Sequence, residues 1–287
     1  MERRSDIDRV KGFTILLVVF GHLVARADPS GVGWYEPLRR AVYAFHMPLF
    51  LYLSGLVAVL SGMALAPCAA WPGVAQARAR RLLVPFFVMG TLIVLGKCLA
   101  ARVMVVDNLP SSPLSGLAHL LWHTADSPAL SIWYLFVLFF VSLGSMVWLG
   151  SMVWLGGWPS RLPALLGFFL LLSVLPLPAY VYLDRIGTYA VFFGLGLWAG
   201  FLGARWDAFI DRFWPGFLLL LLVCLGAIAV FGDGWPEKLI LLPVGALSLP
   251  ALHGWLRRWR ATYARVFVFL GRYSLMIYLF NTLFIGL

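Results

Sequence analysis

Long apolar stretches recur along nearly the whole chain, and they limit what it can fold into more than any other feature. Runs near residues 12–25, 41–61, 82–101, 131–155, 162–178, 189–204, 214–231, 239–255 and 266–287 are rich in Leu, Val, Phe and Trp. A helix needs about 20 such residues to cross a bilayer, so these runs predict about nine crossings. Composition agrees. The 287 residues are 62% hydrophobic and 12% charged, against about 45–50% and about 25% in soluble domains. A water-soluble fold of this length has too little interior for so much apolar surface. The predicted fold class is all-α: a polytopic transmembrane bundle of roughly eight to ten helices. No long linker, charge run or low-complexity tail divides it, so a single domain over 1–287 is expected. Disordered, coiled-coil and disulfide-stapled classes are excluded.

Basic residues set the orientation. There are 22 Lys and Arg against 12 Asp and Glu, a net charge of +10. A cytoplasmic N-terminus places fourteen of the basic residues inside and seven outside, with Arg272 inside the last apolar run. Cytoplasmic loops retain Lys and Arg, so this split predicts N-inside. The basic residues are scattered over loops and form no single patch, so nucleic acid is not an expected partner. Cys68, Cys98 and Cys224 have no paired spacing and read as small core residues. The first apolar run carries a histidine and no small-residue cleavage pattern, so no cleavable signal peptide is expected. GSMVWL occurs twice in tandem, at 144–149 and 150–155. Six residues add about 9 Å of helix and about 120° of rotation. The expected result is a tolerated duplication that lengthens the fourth segment by tilt or by extension into the cytoplasm.

Ionisable groups inside membrane spans are costly and usually face the bundle interior. At about 100° per residue, Asp8, Lys11, Ile15, Val18 and His22 form one stripe on the first helix, while Arg9 points elsewhere. His22 lies about 16 Å deeper than Lys11. The second helix runs back from outside, which puts His46 at a depth similar to His22. Two imidazoles there can share acid and base duties, because each titrates near neutrality. They also serve as hydrogen-bonding glue between helices, and both readings remain open. Pro48 marks a kink, and Ser54–Gly55 allows another helix to approach closely. Arg78 and Arg81 have RxxR spacing on one helix face. They suit either an anchor to lipid phosphate or a clamp for the phosphates of a soluble donor. His119 and His123, in HLLWH, have zinc-pair spacing without the Glu of HExxH, and no metal is expected. Trp133–Tyr134 reads as an interfacial aromatic belt. Ser274, Tyr278 and Asn281, with Gly271, form a small and polar stripe expected to face the bundle, while Arg272 points away to snorkel or pair.

Five blocks in this order resemble the acyltransferase 3 family of membrane acyltransferases, and in particular its fucose 4-O-acetylase-like, sugar O-acetyltransferase branch. They are DRVKGFTILLVVFGH (Asp8–His22), FHMPLFLYLSG (Phe45–Gly55), RARRLLVPF (Arg78–Phe86), IWYLFVL (Ile132–Leu138) and LGRYSLMIYL (Leu270–Leu279). The resemblance implies transfer of an acyl group, usually acetyl from cytosolic acetyl-CoA, to an envelope carbohydrate or lipid-linked sugar. It implies no bound cofactor, only the acyl-CoA donor as substrate, and a multi-pass protein of a bacterial-type cytoplasmic membrane. The family's helix-one histidine corresponds to His22 and its basic residue eleven positions earlier to Lys11. The helix-two histidine of the sugar branch corresponds to His46, and the donor-side RxxR to Arg78 and Arg81. Asp8, Ser54, Trp133, Tyr278 and Asn281 are the expected supporting residues. Family members often carry a histidine where this chain has Asn281. Members are also usually longer, so the stop at Leu287 within an apolar run implies a truncated or divergent end. Two other classes fit the apolar pattern. A transporter or flippase of a lipid-linked sugar needs the same helix count, midplane polar groups and Pro-broken helices but has no specific need for the RxxR or the His22–Lys11 stripe. A non-catalytic membrane subunit is a third reading, drawn from the truncated end.

Overall fold

The computed structural model describes residues 4–24, 34–152, 156–231, 236–259 and 263–286. Among these, the regular elements are helices: α1 (Ser5–Val24), α2 (Tyr35–Leu60), α3 (Trp71–Ala100), α4 (Pro113–Ala118), α5 (Trp133–Ser151), α6 (Trp158–Val174), α7 (Leu183–Leu202), α8 (Ala204–Phe231), α9 (Glu237–Arg257), α10 (Tyr263–Arg272) and α11 (Ser274–Gly286). The six helices α2, α3, α5, α7, α8 and α9 are long and apolar enough to cross a membrane, and α6 is apolar but shorter. This is an all-α, polytopic integral membrane bundle, as the apolar runs predict. α1 stands apart because Asp6, Asp8, Arg9 and Lys11 fill its first half.

The helix ends differ from the apolar runs in ways that have local causes. α5 stops at Ser151, not at 155. Arg161 donates to the carbonyls of Leu149 (2.7 Å) and Gly156, satisfying an acceptor that the helix end leaves open. Among the described residues of the second GSMVWL copy, Gly150 and Ser151 are helical and Met152 is not, and 153–155 lie outside the described residues. The final apolar run is two helices, α10 and α11, separated at Tyr273. α4 is a single short helix that no apolar run marks. Ser112 caps it by accepting the Ser115 N–H at 3.1 Å, with Pro113 in its first turn.

The chain forms two compact units: Met1–Ser61 with Phe192–Tyr278, and Gly62–Val191 with Leu279–Leu287. In the first, α1 packs on α2, α9 and α10, α2 packs on α8 and α9, and α8 pairs with α9. Backbones touch where glycine permits it. A Cβ at Gly55 of α2 would stand 2.1 Å from the Phe193 carbonyl oxygen of α7, and one at Gly196 of α7 would stand 2.0 Å from that of Tyr52. Helices that share lipid as solvent associate through such small-residue contacts, and Ser54–Gly55 is the close approach that the sequence predicts. In the second unit α3 and α5 pair, with α4 against α3 and α6 against α5. Phe86, Phe136 and Tyr182 cluster in its core, with ring centroids 5.3–6.0 Å apart.

Candidate functional site

The predicted stripe on α1 faces inward. Asp8, Ile15 and Val18 are buried, Lys11 and His22 are half-buried, and Leu16 on another face is 43% exposed. Periodicity alone explains this, since 3.6 residues per turn returns these side chains to one side. His22 hydrogen-bonds the Val18 carbonyl. On α2, buried His46 makes the equivalent bond, with Nδ1 2.7 Å from the Val42 carbonyl oxygen. A carbonyl only accepts, so Nδ1 carries the hydrogen and Nε2 is the nitrogen able to take a proton. Tyr43 joins the two helices at this level. Its ring meets His46 edge-on at 5.1 Å and lies over Gly21, where a Cβ would be 3.1 Å from Cε2. The Arg39 guanidinium sits 5.6 Å from the Tyr43 ring centroid. The imidazoles of His22 and His46 are close enough to interact electrostatically. Asp8 is 3.9 Å from the Arg272 guanidinium, so Arg272 pairs as expected. Ser54 is half-buried beside Gly55, and Tyr278 and Asn281 are buried on α11. α2 continues as one helix through Pro48.

A second cluster in this unit is one that sequence reasoning missed. Trp206 Nε1 donates to the Tyr52 hydroxyl at 2.7 Å, and the hydroxyl lies 2.7 Å from His253 Nδ1. The Tyr52 hydroxyl has one hydrogen and two lone pairs, so besides accepting from the indole it can either donate to or accept from Nδ1, according to the imidazole's protonation. His253 Nε2 faces Asp6 Oδ2 at 3.6 Å, longer than a direct hydrogen bond. Asp6 accepts from Arg4 and, at 2.8 Å, from Arg257. Arg4 reaches Asp207 at 2.9 Å, and Arg257 reaches Asp211 at 3.2 Å. Burial pushes the Asp6 carboxyl up. His253 and Arg4 beside it outweigh burial and hold it well below the ordinary carboxylate range. Asp6 in turn raises the Arg4 guanidinium above its usual value. Arg9 caps the end of α9, donating to the carbonyls of Leu256, Arg257 and Trp259. One signal was available: His253 is an ionisable residue within an apolar run, and such residues are functional candidates by default.

Arg78, Arg81 and Trp133 belong to the second unit. The RxxR pair divides. Arg81 is exposed, whereas Arg78 is half-buried, its Nε without a hydrogen-bond partner among the described residues. Arg78 interacts electrostatically with Tyr134 and Arg81. Trp133 and Tyr134 are 7% and 9% exposed, which corrects the aromatic-belt expectation. Trp133 packs on Tyr189 at 4.8 Å, with the Arg185 guanidinium 5.1 Å from its ring. His119 and His123 do not share a helix face. α4 ends at Ala118, and His123 adopts a left-handed conformation with φ 56°. Among the described residues, no three His, Cys, Asp or Glu gather as a metal site.

The acyltransferase-domain family matches residues 4–287. Two curated relatives are each named Nodulation protein NolL. One, from Mesorhizobium japonicum, is 38% identical over 93 residues, 32% of this chain and 24% of the relative. The other, from Sinorhizobium fredii, is 43% identical over 58 residues, 20% and 16% respectively. The aligned stretches thus span a quarter or less of either relative. No solved structure matches the chain.

Proposed function

Because the chain belongs to the acyltransferase 3 family, we propose that it is a membrane O-acyltransferase moving an acyl group, most simply acetyl, from cytosolic acyl-CoA to a carbohydrate hydroxyl. The observation that carries the chemistry is the pair of imidazoles on facing helices, each tied to the carbonyl one turn back. That tie fixes the ring and, at His46, leaves Nε2 as the proton-accepting nitrogen. His22 takes the proton of the acceptor hydroxyl as its oxygen attacks the thioester carbonyl. The new C–O bond forms, the C–S bond breaks, and the proton passes to the departing CoA sulfur. His46 orients the acceptor or assists that proton transfer. The donor's phosphates are assigned to Lys11, Arg78 and Arg81, whose guanidinium and ammonium groups suit phosphate oxygens. Asp8, Ser54, Trp133, Tyr278 and Asn281 are assigned supporting roles. Family membership favours acyl transfer over the transporter reading, and the acceptor is proposed to enter from the outer face as an envelope or lipid-linked sugar.

The test uses purified protein in nanodiscs, with labelled acetyl-CoA and a mixed envelope-glycan acceptor. His22→Ala should lower transfer by about 10²-fold or more, the size of general-base assistance. His46→Asn keeps a donor near the Nδ1 position for the Val42 carbonyl but removes the Nε2 base. It should preserve melting temperature while lowering turnover. CoA should raise the melting temperature of the wild type, since a ligand of the folded state stabilises it. Full activity in His22→Ala would sink the assignment.

A further inference from the structure

Two loop segments, one of them the HLLWH motif, meet in the second unit to form an exposed aromatic surface. Trp122 follows α4, and Tyr180 precedes α7. Their ring centroids are 4.9 Å apart with planes inclined by 37°. His123 meets Tyr180 at 5.1 Å and His119 at 6.1 Å. Trp122 is 58% exposed and Tyr180 37%, so the surface is open although it is built. Val181 donates its N–H to the Leu121 carbonyl at 2.8 Å, and the Thr124 hydroxyl donates to the Ala179 carbonyl. The backbone is held against its preference on both sides. His123 has φ 56°, Val181 φ 48° and Tyr182 φ 56°. A β-branched residue at positive φ is a true outlier, and such conformations concentrate at binding sites, where surrounding contacts impose them.

We propose that Trp122, Tyr180 and His123 form a platform that stacks a saccharide ring of the acceptor. This rests on the carbohydrate acyl-transfer reading and gives its acceptor a place. A sugar ring has an apolar C–H face whose hydrogens suit the negative face of an aromatic ring, and an edge of hydroxyls. The platform offers both counterparts: the ring surface that Trp122 and Tyr180 leave exposed beyond their mutual contact, with the polar His123 and His119 imidazoles beside it. A membrane-interface belt needs only aromatic side chains at helix ends and does not require two loops to be pinned in strained conformations to bring rings together. Sequence spacing hid the site because its two main rings come from different loops.

The experiment measures direct binding of a panel of soluble tetrasaccharides, built from glucose, galactose, fucose and N-acetylglucosamine, to the full chain in nanodiscs without donor. At least one sugar should bind the wild type. Trp122→Ala and Tyr180→Ala should weaken it on the order of ten-fold. Trp122→Phe, which keeps an aromatic face, should stay within about three-fold, and Leu114→Ala, an exposed residue of α4, should be unchanged. Melting temperatures of all variants exclude misfolding as the cause. No binding by any panel sugar, equal affinity in the alanine variants, or equal loss in Trp122→Phe and Trp122→Ala overturns the platform. Quenching of Trp122 by brominated lipid together with indifference to sugar would identify it as an interfacial belt residue and also overturn it. Sugar binding with neither acetyl transfer nor CoA stabilisation would keep the platform and remove the acyl-transfer reading.

Discussion

A carboxylate set into the end of an apolar bundle stays ionised only if cations and donors surround it, and Asp6 has Arg4, Arg257 and His253 around it. The sign of its pH dependence follows. Its pKa is lowered in the folded state, so its contribution is complete above the ordinary aspartate value of about 3.9 and is lost as pH falls below that. Asp6→Asn should therefore destabilise the protein by about 3 kcal/mol at neutral pH, the cost of removing one partner from a buried ion pair. Wild type and variant should differ by a constant amount from pH 7 to about pH 4, and the gap should begin to close below pH 4 as the unfolded carboxylate takes its proton; a gap that stays constant from pH 4 to pH 3 would show that Asp6 titrates alike in the folded and unfolded chain. At this scale the sequence was half legible. His22 and Lys11 could be placed on one inward face by helix arithmetic, because both lie on one element. The Asp6 cluster could not, because Arg257 lies 251 positions away from it in the chain, and no local period links them.

Helix centres were readable where helix ends were not, and the reason is that apolar runs mark what lipid or core must cover rather than where backbone bonding stops. α3 begins at Trp71, well before its apolar run, because AQARAR is polar but made of strong helix formers. α8 likewise begins at Ala204, ahead of its apolar run, through a segment that carries Trp206, Asp207 and Asp211 to the Asp6 cluster. Side-chain size then decides how closely two elements approach. Gly196→Ala would place a methyl 2.0 Å from the Tyr52 carbonyl oxygen, in backbone that cannot move aside cheaply. It should separate α7 from α2 and disturb Tyr52, lowering the melting temperature by several degrees, as a loss of roughly 1–3 kcal/mol from overpacking would do. Gly167→Ala on α6, where a Cβ meets nothing within 4 Å, is the matched control. It should be neutral or slightly stabilising, since alanine is the better helix former. Equal melting temperatures for the two variants would contradict the close crossing.

For the whole molecule, the decisive property is which face of the membrane each loop occupies, because the proposed donor, a cytosolic acyl-CoA, would reach only one. The two-to-one distribution of basic residues favours a cytoplasmic N-terminus. That orientation puts Cys68 and the RxxR of Arg78 and Arg81 at the cytoplasmic end of α3, and the segment before α4, with the Trp122 platform beyond it, on the outside. Native Cys68 is exposed, while Cys98 and Cys224 are half-buried. In a background with Cys98 and Cys224 replaced by Ala, a membrane-impermeant maleimide should label Cys68 only after permeabilisation. With Cys68 also replaced, Ser111→Cys in the exposed loop before α4 should be labelled in intact cells. The two sites lie on opposite ends of one long helix, so each checks the other. The reverse pattern would put the RxxR out of reach of cytosolic CoA and the aromatic platform inside the cell. The donor assignment of Arg78 and Arg81 would then fail whatever the histidines did. Labelling of both sites from the same side would show that α3, at 30 residues amply long to span, does not cross the bilayer between them.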